Sequence, residues 1–397
     1  IPSPGWLLLC ASHGSLSLGF SSSAPNGLLR IPKPTYTVSC FDPVLEPPII
    51  TMNTVLSLLA LDYPTNKLAC YVSDDGCSPL TFYALLQASK FAKLWLPFCK
   101  KYNIQLRVPF RYFSNNTNTE DTPEFIQDWL RIKKEYENLD RKILNAAQNS
   151  IPLVGEFAIF SNTQRKNHPT IIKVIWENKG LSDELPHLIY VSREKKQEHP
   201  HNYKAGAMNV LTRVSGLMTN APFILNVDCD MYVNNPKIIQ HALCILLDSK
   251  GEKEVAFAQC IQQFYDGFKD DPFGNQLVAL FVYLGGGVAG LQGVFYSGTN
   301  CLHRRKIIYG ISPHVHDIQN GNKDHGITNG KFSGNKKIFG TSREFVESAT
   351  CALEGKTNTP TNNLCNFLEA ASEVASCKYE YATAWGKQCL EKINSAE

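Results

Sequence analysis

Twice in this chain a short apolar run ends on paired carboxylates. Leu68-Ala69-Cys70-Tyr71-Val72 leads into Ser73-Asp74-Asp75-Gly76, and Phe223-Ile224-Leu225-Asn226-Val227 leads into Asp228-Cys229-Asp230. Apolar runs this short, bounded by turn residues, have the length of buried strands. Side chains at i and i+2 of a strand point the same way, so Asp228 and Asp230 are expected to emerge together where the strand reaches solvent. Two such strand ends at one sheet edge would suit the diphosphate of a nucleotide. A hard divalent cation, Mn2+ or Mg2+, would take oxygen ligands from Asp228 and Asp230 and complete its shell with phosphate oxygens. Each cluster alone also has a plainer explanation. Asp74-Asp75-Gly76 could be a turn with a helix cap, and Asp228 and Asp230 could cap the helix after Asn234-Asn235-Pro236.

Around these runs the pattern alternates strand and helix, which predicts an α/β domain with a mainly parallel central sheet. Strands are expected at 37–41, 68–72, 170–176, 187–192, 223–227 and 255–260. Helices are expected at 48–59, 81–102, 204–218, 236–247, 343–353 and 366–375. Pro47-Pro48 opens the first helix and Ser78-Pro79 caps the second. Residues 110–150 break the alternation: they are polar, then charged and helical over 129–141, as in a helical insertion on the core surface. Residues 1–34, rich in Ser, Gly and Leu, are expected to be poorly ordered or foreign to the domain, leaving 35–397 as one domain.

Composition removes several classes of function. A net charge of +3 without a basic block argues against nucleic acid as a partner. The 13 cysteines are scattered with no C-x-x-C pair, against zinc ribbons and secreted disulfide scaffolds and for a reduced, cytosol-facing domain. No stretch reaches the roughly 18 apolar residues of a membrane span. The nearest, 277–296, is interrupted by Gly285-Gly286-Gly287, Gly290, Gln292 and Gly293, and is expected to be a buried or interfacial helix followed by a loop. Trp6-Leu7-Leu8-Leu9-Cys10-Ala11 is too short for a signal core and has no basic flank. The pairs His199/His201 and His314/His316 sit in polar surroundings and are taken as surface histidines.

Taken together, several stretches resemble the plant cellulose synthase and cellulose synthase-like proteins, processive inverting family 2 glycosyltransferases. They are Asp42-Pro43-Val44-Leu45-Glu46-Pro47-Pro48, Tyr71-Val72-Ser73-Asp74-Asp75-Gly76, Tyr190-Val191-Ser192-Arg193-Glu194-Lys195 and Lys204-Ala205-Gly206-Ala207-Met208-Asn209. Thr219-Asn220-Ala221-Pro222-Phe223, the run into Asp228-Cys229-Asp230, and Gln292-Gly293 with Tyr296-Ser297-Gly298-Thr299 complete the series in family order. The pattern is nearer the cellulose synthase-like branches. The resemblance implies a GT-A-type fold, a UDP-sugar donor (UDP-glucose the first expectation), a β-glycan acceptor of the plant cell wall, and metal at Asp228 and Asp230. It implies nucleotide contacts at Asp74 or Asp75 and a uridine-side contact at Glu46. Lys204, opening a helix, could face phosphate oxygens together with the helix N-terminus. The insertion then corresponds to the family's plant-specific region. Full-length relatives would sit in Golgi or plasma membrane with this domain cytosolic.

The sequence also departs from the family. The Thr-Glu-Asp motif, which there supplies the base, is expected C-terminal to Asp230, whereas this chain's Thr119-Glu120-Asp121 precedes it. The Gln-x-x-Arg-Trp motif that holds the acceptor is absent, and Val38-Ser39-Cys40-Phe41 differs from the family's Thr-rich lead into Asp42-Pro43. A truncated or mis-joined product, binding donor but turning over poorly, is the expectation. Two alternatives stand: a non-catalytic partner associating with full-length synthases through the insertion, and a metal-dependent phosphohydrolase.

Overall fold

The computed structural model describes residues 34–40, 46–114, 122–180, 184–248, 255–262, 284–291, 293–294, 296–309, 339–355, 363–381 and 383. Seven strands form one sheet: β1 (Pro34–Cys40), β2 (Ala69–Asp74), β3 (Ile171–Trp176), β4 (His187–Ser192), β5 (Phe223–Asp228), β6 (Phe257–Gln259) and β7 (Cys301–Arg304). Their spatial order is β3-β4-β2-β1-β5-β7-β6. The four central strands β4, β2, β1 and β5 run parallel. The outer pairings β3–β4, β5–β7 and β6–β7 are antiparallel. The sheet is therefore mixed, parallel only at its centre, rather than mainly parallel.

Alternation along the strands explains why both sheet faces are covered. Cys70, Val72, Leu188, Tyr190, Leu225 and Val227 face one apolar cluster, which holds α1 (Pro48–Leu59), α2 (Pro79–Lys101) and α6 (Ile238–Leu247). Ala69, Tyr71, Ile189 and Val191 face the other, with α5 (Tyr203–Met218). Helices on both faces bury β2, β4 and β5 almost along their whole length, which is why they read as largely apolar runs.

The insertion contributes α3 (Pro109–Tyr112) and α4 (Pro123–Gln148). It is not merely laid on the surface. Trp129, Ile132, Leu139 and Ile143 recur at helical spacing and are buried, joining α4 to the α1–α2 side of the core. The Tyr136 hydroxyl lies against the Asn53 side-chain amide of α1, at 3.0 and 3.2 Å. Asn53 in turn donates to the Ile49 carbonyl and accepts from the Phe110 amide. Tyr136→Phe keeps the ring and removes this anchor. It is expected to cost about 1 kcal/mol in urea unfolding; an unchanged midpoint would mean that α4 is held by packing alone.

The remaining helices are α7 (Gly285–Leu291), α8 (Arg305–Ile308), α9 (Arg343–Leu353), α10 (Leu368–Val374) and α11 (Cys377–Tyr381). The helices α9 and α10 pack on the α5 face. The sequence reading misses β7 and α8, because Cys301-Leu302-His303-Arg304 is too short and polar to show a period of two. It also starts β1 three residues late: the central strand begins at Pro34. Residues 1–33, Thr119-Glu120-Asp121 and His314/His316 lie outside the described residues. Among the described residues no helix is long and apolar enough to cross a membrane, and the cysteines are free thiols.

Candidate functional site

The parallel centre brings the carboxyl ends of β4, β2, β1 and β5 to one sheet edge. Cys40 at the end of β1 pairs with Asp74, and Ser39 pairs with Asp228. The two acidic clusters thus flank the end of β1, two strand spacings, or about 10 Å, apart. Three of the described non-glycine residues with positive φ sit in the loops of this edge: Cys77, Asn202 and Tyr203, with Asn300 close behind Asp228. Left-handed backbone costs such residues on the order of 1–2 kcal/mol each, and tends to persist where surrounding contacts over-determine it.

Asp74 is fully enclosed, at 0% exposure. Its Oδ1 accepts from the Gly76 amide at 2.9 Å, and its Oδ2 from the Ser78 amide at 2.8 Å and the Tyr190 hydroxyl at 2.9 Å. These bonds close the turn between β2 and α2, while the Ser78 hydroxyl caps α2. Both oxygens of Asp74 are thus engaged in the turn with a helix cap that the sequence also offered. Burial pushes its carboxyl up to about 6, against the lowering effect of the Ser78, Tyr190 and Gly76 hydrogen bonds. A carboxyl raised above its ordinary 3.8 contributes stability that is complete below that value and is lost as pH rises through about 6. A gap of about two pH units corresponds to at most about 3 kcal/mol. Asp74→Asn cannot ionise, so its stability is expected to fall less than that of the wild type between about pH 4 and pH 6.5. Denaturant unfolding at the two pH values measures this, and parallel losses would refute it.

Asp75 is also buried, but in an ion pair. Arg193, just past β4, grips it with two bonds: Nε to Oδ1 and Nη2 to Oδ2, both 2.8 Å. Lys195 adds a contact at 3.2 Å. Burial alone would raise this carboxyl, but the Arg193 and Lys195 charges and hydrogen bonds outweigh it and hold it below the usual carboxylate range. Both oxygens of Asp75 therefore meet protein cations. The same guanidinium reaches the backbone that leads into α5, at the His201 carbonyl (2.7 Å) and the Tyr203 carbonyl (3.1 Å).

Asp228, Asp230, Lys204 and Glu46 are brought together. Asp228 ends β5 half-exposed, Cys229 turns inward and is buried, and Asp230 is exposed in the following turn, so the alternation of the strand continues past its last pair. The Lys204 ammonium contacts Asp228 Oδ1 directly. Partial desolvation of its carboxyl raises Asp230, with further raising from the charges of Asp228 and Glu46 and lowering from Lys204. Three hydroxyls hold the turn. Thr54 of α1 donates to the Cys229 carbonyl at 2.6 Å, the Ser57 hydroxyl accepts from the Val233 amide at 3.2 Å, and the Thr299 hydroxyl accepts from the Asp228 amide at 3.2 Å. Behind β5, the Asn226 side-chain amide donates to the Gly298 carbonyl at 2.9 Å, fixing the loop that carries Thr299.

Two oxygen-donating carboxylates fit a hard cation that shares its remaining positions with phosphate oxygens, and do not make a complete protein cage. Among the described residues no cluster of three or more His, Cys, Asp and Glu side chains offers such a cage. His201 folds back on Lys196 and His199 stacks on Tyr381, so neither is placed as a ligand. A cleft of about 170 Å³ opens beside Asp230, walled by Ile49, Ile50, Phe110, Met231 and Tyr232. Tyr203, next to Lys204, is 87% exposed.

Thr54, Thr299 and Arg193 are the functional neighbours that sequence reasoning did not assign. Thr54 carries no sequence signal and Thr299 only its place in the Tyr296-Ser297-Gly298-Thr299 stretch, since each acts across 70 residues or more. Arg193 left a trace, as a cation immediately after a buried strand.

A family model described as cellulose synthase matches residues 35–329. The chain belongs to the cellulose synthase family. It is 50% identical over 366 residues to cellulose synthase-like protein B3 of Arabidopsis thaliana, covering 90% of this chain and 47% of that protein. Against cellulose synthase-like protein H1 of Oryza sativa subsp. japonica it is 51% identical over 376 residues, covering 90% and 48%. The chain spans about half the length of the curated relatives it matches. The family expected from the motifs is thus borne out, and the matched residues include Glu46, Asp74, Asp75, Lys204, Asp228 and Asp230.

Proposed function

We propose that this domain is the donor-binding part of a cellulose synthase-like glycosyltransferase, of GT-A type, that takes a UDP-sugar such as UDP-glucose for transfer to a β-glycan. The convergence of Asp228 and Asp230 with Lys204 at the carboxyl edge of the parallel strands carries the proposal. Inverting transfer requires the diphosphate to leave with extra negative charge. Mn2+ or Mg2+ at Asp228 and Asp230 would supply Lewis-acid stabilisation of that charge. Lys204 supports the leaving group from the start of α5, where the helix N-terminus also favours anions. Glu46, whose charge acts on Asp230, would contact the uridine side of the donor. The proton on the acceptor hydroxyl needs a base; donor binding is the part of the reaction that Asp228, Asp230 and Lys204 support. Association with full-length synthases is a second proposal, favoured by Leu130 and Leu144 standing exposed on α4.

Calorimetric titration of the chain with UDP and UDP-glucose, with and without Mn2+, tests the donor site. Metal-dependent binding of both is expected. Steady UDP release from UDP-glucose without acceptor would instead favour the phosphohydrolase alternative, and absence of binding would remove the donor-site proposal.

A further inference from the structure

We propose that Arg193 is a positioning residue for Lys204: its guanidinium, fixed by Asp75, folds the turn that delivers the lysine to the diphosphate side of Asp228. The inference rests on the donor-site proposal and adds to it a physical link between the two acidic clusters. Arg193 spends two donors on Asp75, at 2.8 Å each, and two more on the carbonyls of His201 and Tyr203. Both partners of the ion pair are about 95% buried. Burying two charges is a poor way to gain stability when apolar residues could fill the same space, so a retained buried pair points to a geometric task. That task is visible in the backbone. Asn202 and Tyr203 adopt φ of 50° and 42°, a conformation L-residues avoid, and the Tyr203 carbonyl is held there by Arg193. The next residue is Lys204, whose ammonium meets Asp228.

Gly206 supports the same assignment from the other side. A Cβ at this position would overlap both the His201 carbonyl and Arg193 Nη1, so the first turn of α5 can approach the guanidinium only as glycine. Lysine in place of Arg193 would keep the charge next to Asp75 but cannot reach three acceptor groups with one planar fork. The turn would then relax, and Lys204 would lose its fixed place.

The test is a double-mutant cycle read by Mn2+-dependent UDP affinity, with thermal unfolding of each variant alongside. Arg193→Lys is expected to weaken UDP binding about 10–100-fold, the scale of a misplacement of about 1 Å. In a Lys204→Met background the same change should cost little further, because the residue through which it acts is gone. Gly206→Ala, which removes no charge, should reproduce the loss and the non-additivity, and provides a second route should Arg193→Lys fold poorly. Full additivity with Lys204→Met, or wild-type affinity in both Arg193→Lys and Gly206→Ala, would overturn the inference. Metal-dependent binding that survives Asp228→Ala would sink the donor-site proposal itself, and the inference with it.

Discussion

Asp228→Ala is expected to abolish metal-dependent UDP-sugar binding while leaving the fold intact. Altering a mere partner of a metal ligand typically lowers metal affinity roughly 10–100-fold, so removing one of only two carboxylates should cost at least about 100-fold. The side chain is partly exposed, and its ion pair with Lys204 lies at the surface. Its loss should therefore change stability by no more than about 1 kcal/mol. The amide that bonds to Thr299 belongs to the backbone and survives the substitution. Calorimetry with Mn2+ and UDP-glucose, together with an unfolding curve, separates the two effects. A variant that binds as tightly as the wild type would show that Asp228 holds no metal.

Lys204→Met is expected to act with opposite signs on the two ligands. In the structure the ammonium stands against Asp228 Oδ1, where it competes with any cation for that carboxylate. Side chains 38% and 27% exposed are well screened, so this competition is worth about 0.5–1 kcal/mol. Mn2+ alone should therefore bind the variant roughly two- to five-fold more tightly. UDP in the presence of Mn2+ should bind more weakly, because a hydrogen bond to a charged group is worth about 1.5–3 kcal/mol, or roughly 10–150-fold. Titrating metal first and nucleotide second measures both in one sample. A solvated surface lysine would change neither affinity, and a purely repulsive one would strengthen the first without weakening the second.

Much of the fold was legible because burial writes itself into the sequence. Tyr71-Val72 and Leu225-Asn226-Val227 are strands covered on both faces, and Pro48 and Ser78 mark helices by local chemistry. What escaped was short or paired at a distance. The strand β7 has four residues and exists because β5 and β6 offer it partners, so the antiparallel side of the sheet could not be read locally.

The site divides along the same line. The sequence by itself determined that carboxylates end β2 and β5 and that a lysine opens α5, because each is a statement about neighbours in the chain. What each carboxylate touches was decided largely by tertiary structure. Asp74 and Asp75 are adjacent residues, yet one is enclosed by its own turn and Tyr190, and the other is gripped by Arg193 from the end of the neighbouring strand β4. Asp228 and Asp230 remain open to solvent and meet Lys204 and Glu46. Desolvation and charge pairing set these surroundings, and apart from the Gly76 and Ser78 amides on Asp74 the polar partners lie more than 20 positions away, which local sequence pattern does not encode.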